Sequence, residues 1–253
     1  MTTPVLWHFP ISHFNEKVRW ALDYKGIPHV RQWLGATYLP RALWATGQPR
    51  LPILFLDGQA VFDSTRIIAA LEERWPEPAL YPADPEERRR ALALEEFFDE
   101  ELGPPIRTAL LGPVFERDPA AALRIITTGM ASATTRMMGA ATGLFRSFYR
   151  NRHAINAETI AASRGQIEAA LRRIESELRP SGHLVGDTFS VADLTAAALS
   201  SILVLPPEMQ YPPAPPYPPE FDDYRASLAG RPALAWAADV FRRYRGRSAE
   251  RAA

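Results

Sequence analysis

Residues 53–62 limit the fold more tightly than any other stretch of the chain. Ile53, Leu54, Phe55 and Leu56 form one apolar run, Ala60, Val61 and Phe62 belong to a second, and the pair Asp57-Gly58 stands between them. A turn of that type supplies the positive φ angles that let two strands fold back on each other, so this stretch is an antiparallel hairpin. Three N-cap residue types follow at once, Asp63, Ser64 and Thr65, and Ile67, Ile68, Leu71 and Trp75 mark the apolar face of a helix behind them. Upstream, Val5 to Phe9 reads as a buried strand between Pro4 and Pro10. A helix is expected from about Ser12, where Phe14, Val18 and Leu22 recur every four residues, and it stops at Gly26 with Pro28 beyond. His29 to Leu34 reads as a second strand, and the stretch from there to Arg50 as irregular. The order is β-α-β, a loop, then β-β-α. The helical crossover implies that the first two strands are parallel, whereas the hairpin is antiparallel, which makes a mixed sheet.

The texture changes at the Pro- and Glu-rich stretch 76–87. Strand signals nearly vanish beyond it, so residues 1–78 are expected to form one domain, 79–87 a linker, and 88–253 an all-helical second domain. Arg88 to Leu102 is a helix with Leu92, Leu94, Phe97 and Phe98 as its apolar residues. Ala120 to Arg150 is helical in composition but punctuated by Gly129, Gly139 and Gly143. Glu158 to Leu178 carries Ile167, Leu171, Ile174 and Leu178 at burial spacing, and the last strong helix starts at Ser190. Arg88, Arg89 and Arg90 read as a solvated first turn, because no second basic cluster accompanies them as nucleic-acid binding would require. The proline-rich segment 206–219 is either a polyproline ligand for a partner or an ordered loop anchored by Met209, Tyr211 and Tyr217, and the loop is preferred.

Composition removes several kinds of chemistry. The chain has no cysteine, which excludes disulfides, thiolate metal sites and any enzyme whose own thiolate is the nucleophile. Its 29 basic and 29 acidic side chains balance, so no global field attracts nucleic acid or an anionic membrane. Five histidines, none in H-x-x-x-H spacing, argue against a metal site. His8 and His13 are read as surface or loop residues of the first strand–helix connection. No run reaches the ~18–20 apolar residues of a membrane span, and residues 1–10 lack the pattern of a signal peptide. The expectation is a soluble, cytoplasmic protein.

Four ordered motifs then acquire meaning together: F-P-I-S-H-F-N-E-K-V-R-W-A-L-D-Y-K-G at 9–26, R-L-P-I-L-F-L-D-G at 50–58, F-D-S-T-R-I-I at 62–68, and L-V-G-D-T-F-S-V-A-D-L-T at 184–195. In this order, ahead of and within an all-helical region, they resemble the glutathione transferase family over nearly the whole chain. The resemblance implies a thioredoxin-like α/β N-terminal domain with a mixed four-stranded sheet, a cis proline at Pro52, and an all-α C-terminal bundle. It also implies a capping box, with Ser190 capping a helix and Asp193 reaching back to its backbone, a folding feature.

Glutathione is then the expected co-substrate, with no metal. The free N–H groups and positive dipole end of the helix at Ser64 suit the γ-glutamyl carboxylate, and the Asp63 carboxylate suits the α-ammonium. The Leu51 backbone before Pro52 can pair with the cysteinyl unit like an added strand. Arg50, and less directly Arg41, are candidates for the remaining carboxylate or amide. Ser12 falls at the position where serine-type members use a hydroxyl to donate to the thiolate. Asn15 and His8 are rivals for that role, His8 standing where tyrosine-type members carry their phenol. The electrophile site is expected between the domains, lined by Phe14, Arg107, Met137, Met138, Phe145 and Tyr149. The implied function is a homodimeric glutathione transferase that conjugates the thiol to a hydrophobic electrophile. Alternatives on the same site are a glutathione-dependent isomerase, dehalogenase or ether-cleaving enzyme, and a non-catalytic binding protein.

Overall fold

A computed structural model describes residues 2–128, 136, 139, 142–152 and 154–252. The chain opens with β1 (Val5–Trp7), α1 (His13–Tyr24), β2 (Val30–Gln32), a 3-10 turn (Gly35–Thr37), α2 (Tyr38–Thr46), β3 (Ile53–Leu56), β4 (Gln59–Phe62) and α3 (Ser64–Arg74). The sheet order is β2-β1-β3-β4, with β1 parallel to β2 and antiparallel to β3, and β3 antiparallel to β4. This is the mixed four-stranded, thioredoxin-like arrangement. The hairpin turn has φ of +47° at Asp57 and +84° at Gly58, the sign that the pair was expected to supply.

The segment before β3 is not irregular. It holds α2, a helix whose buried contribution is Ala42, while Leu43 and Trp44 stay exposed, so no apolar stripe announces it. The first two strands are also shorter than the apolar runs that suggest them.

The helical part contains α4 (Pro85–Glu101), α5 (Gly103–Arg117), α6 (Pro119–Ile126), α7 (Thr142–Arg152), α8 (Ala157–Glu177), α9 (Val191–Val204), α10 (Pro219–Ser227) and α11 (Pro232–Tyr244). Two of these follow the helix at Ser190, which was expected to be the last strong one. Each begins with proline at its first position, where the missing N–H costs nothing. Leu178, expected on the buried face of α8, is exposed because the helix ends at Glu177 and the backbone turns extended there. α9 forms the axis of the helical part: residues 191–203 are all buried. Asp193 accepts from the backbone N–H groups of Ser190 (2.9 Å) and Leu184 (2.8 Å), which closes the capping box.

α1 packs between the sheet and α9. Trp20, fully buried, lies 4.4 Å from the Phe241 ring, centroid to centroid, and donates to the Tyr244 carbonyl. Because α1 is covered on every side, its charged residues Glu16, Lys17, Arg19 and Asp23 are buried as well. The proline-rich segment 206–219 is an ordered loop, with Met209 in the core. It packs against the sheet-bearing part as well as the helices: Gln210 accepts from Arg31 and donates to Asp23. Among the described residues, no helix is long and apolar enough to cross a membrane.

Candidate functional site

Strand register brings the candidate residues to one end of the sheet. Trp7, the last residue of β1, pairs with Ile53, the first of β3, and Ile53 pairs with Phe62, the last of β4. Residues 8–12, 51–52 and 63–64 therefore continue from neighbouring strand ends. Residues far apart in sequence share one edge because β3 runs against both of its neighbours.

In one half, the Leu51–Pro52 peptide is cis. Asp63 caps α3 by accepting from the Thr65 N–H at 3.0 Å, and Ser64 behind it is buried. Thr65 is tied down from below. Its hydroxyl donates to Asp99 at 2.7 Å and accepts from Lys17 at 3.2 Å, and Lys17 lies 2.8 Å from Glu95 and 2.6 Å from Asp99. α1 and α4 thus hold the first turn of α3 in place. Arg50 is exposed. Arg41, within α2, lies across the Trp7 ring, 4.8 Å from its centroid.

In the other half, Ser12 occupies the N-cap position of α1 with extended backbone angles, yet its side chain makes no capping hydrogen bond. Its N–H donates to the Phe9 carbonyl at 3.1 Å and its carbonyl accepts from Glu16 at 2.9 Å, so the backbone is fixed while the hydroxyl is not spent on the helix. Asn15 is fully buried. Its Oδ1 accepts from the Phe9 N–H at 3.2 Å, and its Nδ2 has no hydrogen-bond partner among the described residues.

His8, in the connecting loop as read, and His13, the first residue of α1, are both buried and not at the surface, because α5 and the proline-rich loop cover the strand–helix connection that α1 already packs from beneath. Burial, reinforced by Arg19, Arg31 and His29, pushes the His8 imidazole down to about 2, and it is neutral. Its Nδ1 lies 3.1 Å from the Arg19 guanidinium, which only donates, so Nδ1 accepts and Nε2 carries the proton. Burial and the nearby Arg107 push His13 down to about 3. The His13 Nε2 has no hydrogen-bond partner among the described residues.

The helical part approaches this end of the sheet through α5. The Phe14 ring sits against Gly103 at the start of α5, where a Cβ would overlap it. Arg107 of α5 is close enough to His13 and Tyr149 to act on both electrostatically. Tyr149 of α7 stacks on Phe115 at 4.2 Å, and burial pushes its phenol above the usual range. Phe9 contacts Trp33 and Tyr38 at 5.6 and 6.1 Å between centroids. Phe145 falls within α7, but its side chain, like Met137 and Met138, lies outside the described residues. Sequence reasoning missed Lys17, Arg19, Glu95 and Asp99. The one available signal was three charges, at 16, 17 and 19, in a helix otherwise expected to be buried.

This donor set fits a small peptide bearing carboxylates, an ammonium group and a thiol. Helix N-termini at Ser12 and Ser64 favour negative charge, the Asp63 carboxylate favours an ammonium group, and the Ser12 hydroxyl is not used to cap its helix.

Comparison with known proteins points the same way. The family model described as glutathione S-transferase, N-terminal domain, matches residues 6–79, and that for the C-terminal domain matches residues 137–231. A maleylpyruvate isomerase of Ralstonia sp. is 38% identical over 93 residues, which is 35% of this chain and 44% of that protein. The chain spans less than half the length of the two curated isomerases it matches in this way. Among solved structures, the beta-etherase LigF of Sphingobium sp. strain SYK-6 superposes with a TM-score of 0.66 at 20% identity, covering 96% of each chain. A glutathione S-transferase of Methylobacterium radiotolerans, in complex with glutathione sulfonate, gives 0.57 at 25% identity, covering 94% of this chain and 95% of that one.

Proposed function

This chain belongs to the glutathione S-transferase family, and from that premise we propose that it is an enzyme that holds glutathione against Leu51, Pro52, Asp63 and Ser64 and converts its thiol, at Ser12, to a thiolate that attacks an electrophilic carbon. The observation that carries this reading is the Ser12 hydroxyl, which stands at an N-cap without capping.

Energetics support the assignment. A free thiol has a pKa near 8.5, and lowering it by about two requires ~2.7 kcal/mol. A hydrogen bond to a charged acceptor contributes ~1.5–3 kcal/mol and a helix N-terminus ~0.3–1. One hydroxyl at the start of α1 therefore suffices. His8 is a poorer choice because an imidazole titrating near 2 takes no proton from a thiol at neutral pH. Asn15 already uses its carbonyl oxygen on Phe9 and retains an amide donor that would support the sulfur from behind.

Two reactions follow from one thiolate. In conjugation, the carbon–sulfur bond forms as a leaving group departs with its electron pair. In isomerisation, the thiolate adds to an activated double bond, the resulting single bond rotates, and elimination restores both the double bond and the thiolate. The match to maleylpyruvate isomerase favours the second, with an unsaturated acid as electrophile and Arg107 beside the site as a counter-charge. The match to a beta-etherase shows the fold alone and leaves substitution chemistry as the alternative. Phe14, Tyr149, Met137, Met138 and Phe145 are assigned to the electrophile wall, Arg50 and Arg41 to the outer end of the peptide. A cytoplasmic homodimer belongs to the same reading by family resemblance.

The test is titration of bound glutathione by its thiolate absorbance. The bound thiol is expected to ionise about two pH units below the free one. Ser12→Ala is expected to reverse most of that and to lower kcat/KM at pH 7 by ~10–100-fold, since each factor of ten is ~1.4 kcal/mol. A bound thiol that titrates at the free value sinks the proposal.

A further inference from the structure

The loop that carries Ser12 is held by a side chain that makes no part of the expected binding surface. Arg19 is fully buried. Its Nε and one terminal nitrogen donate to Glu16 Oε2 at 3.0 and 2.7 Å. The same terminal nitrogen donates to the Pro10 carbonyl at 2.9 Å, and the other lies 3.1 Å from His8 Nδ1 and 3.4 Å from the Phe9 carbonyl. Three consecutive residues of the loop thus bind one guanidinium. The Phe9 carbonyl also accepts the Ser12 N–H, so Arg19 and Ser12 meet on a single oxygen.

The anchor of this guanidinium comes from the other end of the chain. Glu16 Oε1 accepts from Arg245, which follows α11 and is itself fully buried, and Arg245 also donates to Asp23 at 2.9 Å. Burial would raise the Glu16 carboxyl, but Arg245 and Arg19 outweigh it and hold it below the usual range, so Glu16 is a carboxylate between two cations. Tyr211 of the proline-rich segment lies over Arg19 at 4.9 Å and against the His8 ring at 5.6 Å. A planar fork with five N–H groups serves a carboxylate, an imidazole and two carbonyls together, which an ammonium group on a flexible stem does not.

We propose that Arg19 is the positioning residue of the thiol half of the site: anchored through Glu16 by Arg245, it holds residues 8–10 so that Ser12 presents its hydroxyl to the sulfur. This rests on the assignment of Ser12 above. The consequence is a division of labour. The peptide half at Pro52 and Ser64 stands on other supports, so disturbing Arg19 uncouples thiol ionisation from peptide binding.

The experiment uses the full chain with Arg19→Lys, Arg245→Met and Arg245→Lys. The pKa of bound glutathione is read by thiolate absorbance, S-methylglutathione affinity by calorimetry, and amide exchange at Phe9, Ser12 and Thr65 by magnetic resonance. Arg19→Lys is expected to raise the bound thiol pKa by about one, a tenfold loss of thiolate at pH values below it. S-methylglutathione should bind within twofold of the parent. Exchange should quicken about tenfold at Phe9 and Ser12 but not at Thr65, on the view that local opening follows lost hydrogen bonds. Arg245→Met should reproduce the pattern in smaller measure and Arg245→Lys restore it, and this pair decides the matter where Arg19→Lys does not fold. Unchanged thiol pKa and loop exchange, or S-methylglutathione affinity falling in step with them, overturns the proposal. Where the parent itself leaves the thiol at its free value, the Ser12 assignment fails separately. Loop exchange then decides Arg19 alone: acceleration confined to Phe9 and Ser12 sustains it, and none overturns it.

Discussion

Asp63 holds φ at +73°, a region glycine occupies freely and other residues enter at a cost of ~1–3 kcal/mol. Its carboxylate accepts from the Thr65 N–H, but replacing a capping aspartate by glycine costs only a few tenths of a kcal/mol. Capping therefore does not explain why a strained aspartate stands there, whereas a ligand ammonium would. Asp63→Gly is expected to leave thermal stability unchanged or to raise it by up to ~1 kcal/mol, while Asp63→Ala, which keeps the strain and loses the cap, lowers it by ~1 kcal/mol. Both are expected to weaken glutathione binding by ~10-fold or more, the value of a charge-assisted hydrogen bond. Calorimetric titration beside thermal unfolding reads the two effects apart. A glycine variant that binds glutathione like the parent would return Asp63 to a purely structural role.

Among elements, the contact of α1 with α5 depends on a missing side chain. Gly103 lies where a Cβ would overlap the Phe14 ring. Gly103→Ala is expected to destabilise by ~1–3 kcal/mol through overpacking, despite the better helix propensity of alanine. It should also displace Phe14 and raise KM for the electrophile. Adding Phe14→Leu should recover most of both, a coupling that a double-mutant cycle measures and that additivity would refute. This contact was hidden in the sequence, although both partners are near the candidate site. Phe14 was legible as a face residue by its spacing, but Gly103 carries no signal except its size. The hairpin at 53–62 and the cap at Asp63-Ser64 were legible because turn and cap chemistry is local. α2 was not, since Ala42 is its buried residue and Leu43 and Trp44 face outward. The proposed peptide half of the site followed the local motifs. The supports of the thiol half did not, because Arg245 reaches Glu16 across 229 positions and nothing in either neighbourhood marks the pair.

At the scale of the molecule, the sheet-bearing and helical parts meet across ionised groups as well as apolar ones. Lys17 joins Glu95 and Asp99, and Glu16 and Asp23 join Arg245, each with little or no exposure. Such pairs resist loss of one partner by ~3–5 kcal/mol, so they fix how the two parts dock more than they add to stability. Buried imidazoles in the same region make docking sensitive to acid. His8 and His13 are held near 2 and 3 in the folded chain, each chiefly by burial, and titrate near 6.5 when unfolded. Between those limits the unfolded chain binds more protons. The stability these residues contribute is therefore complete above pH ~6.5 and is lost as pH falls, by ~1.4 kcal/mol per pH unit for each. His29, lowered by burial, acts in the same sense. Loss should begin near pH 6.5, well before the carboxylates protonate, and reach ~4 kcal/mol by pH 5 from His8 and His13 together. Urea midpoints measured from pH 8 to 5 test this, with His13→Gln expected to remove about half of the slope. A flat profile down to pH 5 would show that these imidazoles are solvated. Above pH 7 both are neutral in either state, so thiolate formation and fold stability do not compete over the range in which the enzyme is proposed to work.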